Sequence, residues 1–178
     1  FVVLHPVPIS AAFENDILQS TQTYGAAKIN QSAGGGKLTI AGKVYEKGLG
    51  VHAVSELPLS VPEKSLRLSG RCGMDDTSEN GAKGEAQFRI LSGNRILWTS
   101  PVIKTGDPAT PFAVDLPHHC RKLYLQVDDL GNNSYDHANW VNLHWSQEGE
   151  TPKTPASHVL RGKDFGLKPN DRADQSAA

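Results

Sequence analysis

The feature that most constrains this chain is the rhythm of its apolar residues, which repeats every second position in short runs. From Lys122 to Asp128, Leu123, Leu125 and Val127 fall on one side, Tyr124 and Gln126 on the other. Successive side chains of a strand point to opposite faces, so this pattern buries one face and leaves the other wet. Ser65–Ser69, Ala86–Leu91, Phe112–Leu116 and Asn139–Trp145 alternate in the same way. In the last, Val141, Leu143 and Trp145 are expected on the core face, with Trp140, Asn142 and His144 opposite. The expected core is Leu66, Leu68, Phe88, Ile90, Leu123, Leu125, Val127, Val141 and Leu143. Gly42 marks a hairpin between Leu38–Ile40 and Val44–Tyr45, and Ser92-Gly93-Asn94 marks another. Roughly nine short strands joined by Gly-, Asn-, Asp- and Pro-rich loops predict an all-β fold, an antiparallel β-sandwich or jelly roll. Strand and helix do not alternate, so a parallel α/β sheet is excluded. One amphipathic helix is expected over Ala11–Gln22, with Ser10 as its N-cap and Phe13, Ile17 and Leu18 on its apolar side.

The 178 residues suit one domain with extended terminal segments. The expected division is 1–21, an N-terminal extension or short helix; 22–148, the sandwich; and 149–178, a tail or linker. A net charge of −1 argues against nucleic acid as partner, because phosphate binding needs a basic excess. No apolar run reaches the ~20 residues of a spanning helix, so no membrane insertion is expected. The chain begins at Phe1 and its one methionine is Met74, which reads as a processed or excised piece of a larger protein. Cys72 and Cys120 lack the spacing of a zinc site, and whether they pair is open at this stage.

Polar residues crowd three stretches: Lys47–Ala53, Cys72–Gly81 and Asp128–Trp140. The pairs Asp75-Asp76 and Asp128-Asp129 each close an apolar strand. Clustered Asp and Asn oxygens suit calcium, with Asp128 and Asp129 as candidate ligands, and they equally suit turns, where such residues bond their own backbone. Asp136, His137 and Trp140 form the most specific cluster: a carboxylate orients an imidazole, and an indole offers a flat apolar face to sugar C–H groups. The candidate ligand site is therefore His52, Asp136, His137 and Trp140, with Asp75, Asp76 and Glu79 adding polar contacts or loop order. No catalytic residue is assigned. The chain has no G-x-S-x-G nucleophile elbow, and no carboxylate pair stands out for glycoside hydrolysis.

The same stretches carry a family resemblance over roughly Gln22–Ser146. Leu38-Thr-Ile-Ala-Gly-Lys-Val-Tyr-Glu-Lys-Gly-Leu-Gly-Val-His-Ala53, Gly73-Met-Asp-Asp76, Gln87-Phe-Arg-Ile90, Leu125-Gln-Val-Asp-Asp129 and Asp136-His-Ala-Asn-Trp140 follow one another in the order of the NPCBM family. Its sugar-binding members form carbohydrate-binding module family fifty-one. The resemblance implies a galactose-binding-domain-like sandwich and a non-catalytic module that recognises galactose-containing glycans. It also implies structural calcium, tethering to a glycoside hydrolase or another surface domain, and a secreted, periplasmic or cell-surface location. The chain departs from the family at Asn139 and Asn142, where relatives often carry Asp, and at Arg71-Cys72. The rival reading is a structural or protein-interaction module with the same sandwich and no sugar site; a small hydrolase comes last. Exposure of Trp140 separates the first two: a solvent-facing indole favours sugar, a buried one structure.

Overall fold

The computed structural model describes residues 10–76, 83–132 and 134–147. In chain order the elements are α1 (Ser10–Ile17), β1 (Thr21–Gln22), β2 (Lys28–Ile29), β3 (Leu38–Ile40), β4 (Lys43–Tyr45), β5 (Gly48–His52) and β6 (Ser55–Ser60). There follow β7 (Ser65–Met74), β8 (Glu85–Ser92), β9 (Arg95–Thr99), β10 (Ile103–Lys104), β11 (Thr110–Asp115), β12 (Lys122–Asp128) and β13 (His137–Gln147). They make an antiparallel β-sandwich. One sheet runs β1-β6-β12-β8-β10, with β9 also on β8; the other runs β11-β7-β13-β5-β2; β3 and β4 form a separate hairpin. Among the described residues no helix is long and apolar enough to cross a membrane.

The inner faces meet as the alternation predicts. Leu123, Leu125 and Val127 of β12 and Phe88 and Ile90 of β8 are fully buried against Leu68, Met74, Val51 and Trp140 of the facing sheet. At about 25 cal/mol per Å² of apolar surface, this contact is the main stabilising term of the fold. A smaller cluster of Leu38, Ile40, Tyr45 and Val141 lies apart from it, where the β3–β4 hairpin packs on β13. The hairpin turns through Ala41 (φ 48°) and Gly42 (φ 76°), the positive pair of a type I′ turn that matches strand twist.

β13 corrects one expectation. Trp140 is fully buried and belongs to the inter-sheet core, its ring edge-on to Phe88 at 5.1 Å and to Phe112 at 5.6 Å. Val141 points the other way, into the hairpin cluster, and Leu143 is back in the main core. The cause is a β-bulge: between Val141 and His144 the partner strand advances only from Arg71 to Ser69, and Asn142 takes up the extra residue at φ 52°. An extra residue reverses the phase of alternation beyond it, so Trp140 and Leu143 share a face that period two alone denies them. Leu66 is likewise exposed, at the outer end of β7 beyond Leu68 and beside a second irregularity at Ser146–Gln147.

The helix is shorter than expected. It ends at Ile17, where the Ser20 hydroxyl donates to the Ile17 carbonyl at 2.6 Å, and Leu18 is exposed. Ile17 packs on the main core as expected, and a carboxylate docks the helix beside it: buried Asp16 accepts hydrogen bonds from the Ser60 N–H at 2.8 Å and the Ser60 hydroxyl at 2.7 Å. Cys72 is buried and Cys120 half-buried; both are free thiols, and burial pushes the Cys72 thiol up.

Candidate functional site

β5 ends and β13 begins side by side, so His52 and His137 are direct cross-strand partners. Their rings meet edge to face at 5.4 Å. His52 Nδ1 lies 2.6 Å from the Ala53 carbonyl. A carbonyl only accepts, so Nδ1 carries the proton and Nε2 of the neutral ring is left as an acceptor. On its other side His52 meets Tyr24, whose ring lies 5.6 Å away and is exposed. Tyr24 was not among the residues expected here. The available signal was an aromatic residue in a polar, Gly-containing loop, but nothing in the sequence ties residue 24 to residue 52. The loop that orders the pair begins at Thr23, whose hydroxyl donates to the Ala53 carbonyl at 2.8 Å and accepts the Val54 N–H at 3.1 Å.

Asp136 precedes His137 and is fully buried. Its Oδ1 accepts the Glu85 N–H at 3.1 Å, while Oδ2 is enclosed with no hydrogen-bond partner among the described residues. Gly84 makes this fit: a Cβ there would stand 2.4 Å from Asp136 Oδ1. Burial pushes the Asp136 carboxyl up to about 6; the charges of Asp129 and Glu85 push the same way, and the Glu85 N–H opposes them. Asp136 thus ties the β13 entry to β8 from below and offers no surface to a ligand.

The two acidic pairs hold backbone. Asp75 Oδ2 accepts the Thr39 N–H at 3.1 Å and the Asn139 side-chain amide, and the Asp75 N–H donates to the His137 carbonyl at 2.8 Å. Asp76 takes the N–H groups of the hairpin turn, Ala41 at 3.0 Å and Gly42 at 2.7 Å. The Asp75-Asp76 pair therefore clamps the β3–β4 hairpin to the end of β7. Asp128 Oδ1 accepts the Leu130 N–H at 2.9 Å, and Asp129 Oδ1 accepts the Gly131 N–H at 2.9 Å. Asp128 Oδ2 is also 2.8 Å from the Arg89 guanidinium. As arranged, this donor set does not fit calcium, which needs about six to eight free oxygens around it rather than a guanidinium. Among the described residues no three His, Cys, Asp or Glu side chains stand together as a metal site. Glu79 lies outside the described residues.

Of the predicted site residues, His52 and His137 come together beside the loop end of the sandwich. Asp75 and Asp136 lie behind them as supports, Asp76 serves the hairpin, and Trp140 lies in the core.

Residues 11–145 match the NPCBM/NEW2 domain family. The chain is 39% identical over 167 residues to alpha-1,3-galactosidase B of Akkermansia muciniphila, covering 92% of this chain and 21% of that protein. The chain thus spans about a fifth of the galactosidase's length. In structure it is similar to the family 51 carbohydrate-binding module of a Clostridium perfringens family 95 glycoside hydrolase, in complex with methyl-galactose. There the TM-score is 0.64 at 21% identity, over 71% of this chain and 92% of that one. A second module of the same class, in Clostridium perfringens ZmpB with GlcNAc, gives 0.64 at 20% identity over 71% of this chain and 28% of that one. These likenesses show a shared sandwich.

Proposed function

Because the chain belongs to the NPCBM/NEW2 domain family, we propose that it is a non-catalytic carbohydrate-binding module whose ligand is a terminal, galactose-type sugar. The observation that carries this reading is the aromatic cluster at the loop end: Tyr24, His52 and His137 in ring contact, with Tyr24 open to solvent. The exposed phenol ring offers an apolar face for the C–H side of a pyranose. His52 Nε2 offers an acceptor for a hydroxyl, and the Tyr24 hydroxyl both donates and accepts. A shallow site for one or two sugars buries little surface, so binding is weak and attachment to a larger enzyme makes it useful by raising local concentration. The galactosidase relative and the methyl-galactose complex support the galactose class, and this reading places the module outside the cell, where polymeric glycans are met.

A second reading is favoured by one observation: Trp140, Asp136, Asp75 and Asp76 are all engaged within the fold. On that reading the motifs maintain the sandwich, and the module positions neighbouring domains without binding sugar. A glycan array on the wild type and on Tyr24→Ala separates them. The first reading expects galactose-terminated spots that fade in the variant; the second expects a blank array from a folded protein.

A further inference from the structure

The outer face of the β1-β6-β12-β8 sheet carries a feature that adjoins the loop end, sharing Thr23 and Val54 with the loop that positions Tyr24. Thr21, Glu56, Gln126 and Arg89 are consecutive cross-strand partners, so their side chains form one polar rung across four strands. At ~4.8 Å per strand the rung spans roughly 14 Å. It lies along a cleft of about 510 Å³, bounded at one rim by Val54 and at the other by Asp128, within the ~300–1,000 Å³ range of small-molecule sites.

The groups in the cleft are planar, held and mixed in sense. Gln126 Nε2 donates to Glu56 Oε2 at 2.6 Å, and Arg89 is held by Asp128 at 2.8 Å and by the Gln87 side-chain oxygen at 2.9 Å. Donors and acceptors are therefore both present along the rung, each held by a neighbour. Gln22 also lines the cleft; its Nε2 donates to the Tyr24 carbonyl at 2.6 Å, which fixes the amide.

We propose that this cleft is a second binding site, for a neutral saccharide. Glu56 and Asp128 outweigh Arg89, so an anion is disfavoured, and the Arg89 guanidinium repels a cation from its end of the rung. Hydroxyls both donate and accept, so neighbouring sugar hydroxyls can bridge a rung of mixed sense where a ligand of one sense cannot. Val54, 44% exposed at the rim, gives the apolar contact for a ring face.

The test is an NMR titration of the isotope-labelled full chain with methyl β-galactoside, N-acetylglucosamine and lactose. It follows the amides of Glu56, Gln126 and Arg89 and the Gln126 side-chain NH₂. The titration is repeated with the Glu56→Ala/Gln126→Ala double variant, which removes both ends of a pair and orphans neither, with Gln126→Leu as a second probe should the double variant not fold, and with His137→Ala. The expected result is that at least one sugar shifts the cleft resonances in wild type and in His137→Ala, and binds at least about tenfold more weakly in the folded cleft variant. Cleft resonances unmoved by every sugar, or equal affinity in a folded cleft variant, overturn the proposal. Preference for sialic acid, used as the anionic control, overturns its neutral character. Shifts confined to Tyr24, His52 and His137 and abolished by His137→Ala would refute the cleft while sustaining the loop-end site.

Discussion

Replacing Asp136 with Asn should change how stability depends on pH, in a direction fixed by the structure. The carboxyl is fully buried, with Oδ2 enclosed and unpartnered among the described residues, and its pKa is raised from 3.8 to about 6. In the unfolded chain it loses its proton near ~4. Between those values the folded protein holds a proton that the unfolded chain has released, so rising pH favours unfolding. The group's contribution is fully present below about pH 4 and lost as pH rises through about 6. A shift of about two units at 1.36 kcal/mol each gives up to about 3 kcal/mol. Asn keeps an oxygen for the Glu85 N–H and does not titrate. Urea unfolding of wild type and Asp136→Asn at steps between about pH 4 and pH 8 reads the difference directly, because the pH dependence of the remaining groups largely cancels. Asp129 and Glu85 face this carboxyl, and the adjacent His137 is of a type that titrates in the same range. The comparison is therefore repeated in a His137→Gln background. The variant should gain on wild type by up to about 3 kcal/mol across the range, mostly between about pH 4 and 6. A difference that stays flat, in both backgrounds, refutes the assignment of Asp136 as a buried, proton-holding acid.

Trp140→Ala should destabilise by about 3–5 kcal/mol in chemical denaturation, as a core truncation; a native-like midpoint would place the indole outside the core. Asp76→Ala removes the acceptor of two turn N–H groups and should cost about 1–2 kcal/mol, with faster amide exchange at Ala41 and Gly42 as the local sign; unchanged exchange there would contradict the clamp. Thermal melting should be the same with EDTA as with added calcium, since Asp128 is committed to Arg89 and to its own turn; a melt lowered by the chelator would show that an ion is held.

The sandwich was legible because β11 and β12 are regular: where one sheet face packs on another without interruption, period two is the whole signal. Leu123, Leu125 and Val127 are therefore where the alternation puts them. β13 was not legible beyond Val141, because one left-handed residue at Asn142 reverses the phase and only the partner strand reveals it. Leu18 misled for a related reason: the helix is held by Asp16 on Ser60, a contact across 44 residues that no helical periodicity reports. At the site, the sequence located the polar loops and put His52 and His137 in one candidate set, and the pairing of β5 with β13, which only the structure supplies, is what makes them meet. It could not show that Asp75, Asp76 and Asp136 spend their oxygens on backbone N–H groups, since a carboxylate serving a turn and one serving a ligand look alike in one dimension. Tyr24 was missed because its partner His52 lies on another strand with no local signature.

The central claim is that a sugar sits on Tyr24 beside His52 and His137. Calorimetric titration of methyl β-galactoside into wild type and Tyr24→Ala tests it most directly, because Tyr24 is exposed and its loss leaves the core untouched. The account predicts weak binding to wild type and a loss of roughly two- to tenfold in a variant with native melting, the loss of one aromatic face. Equal binding by both proteins would contradict it, as would a wild type that takes up no galactoside.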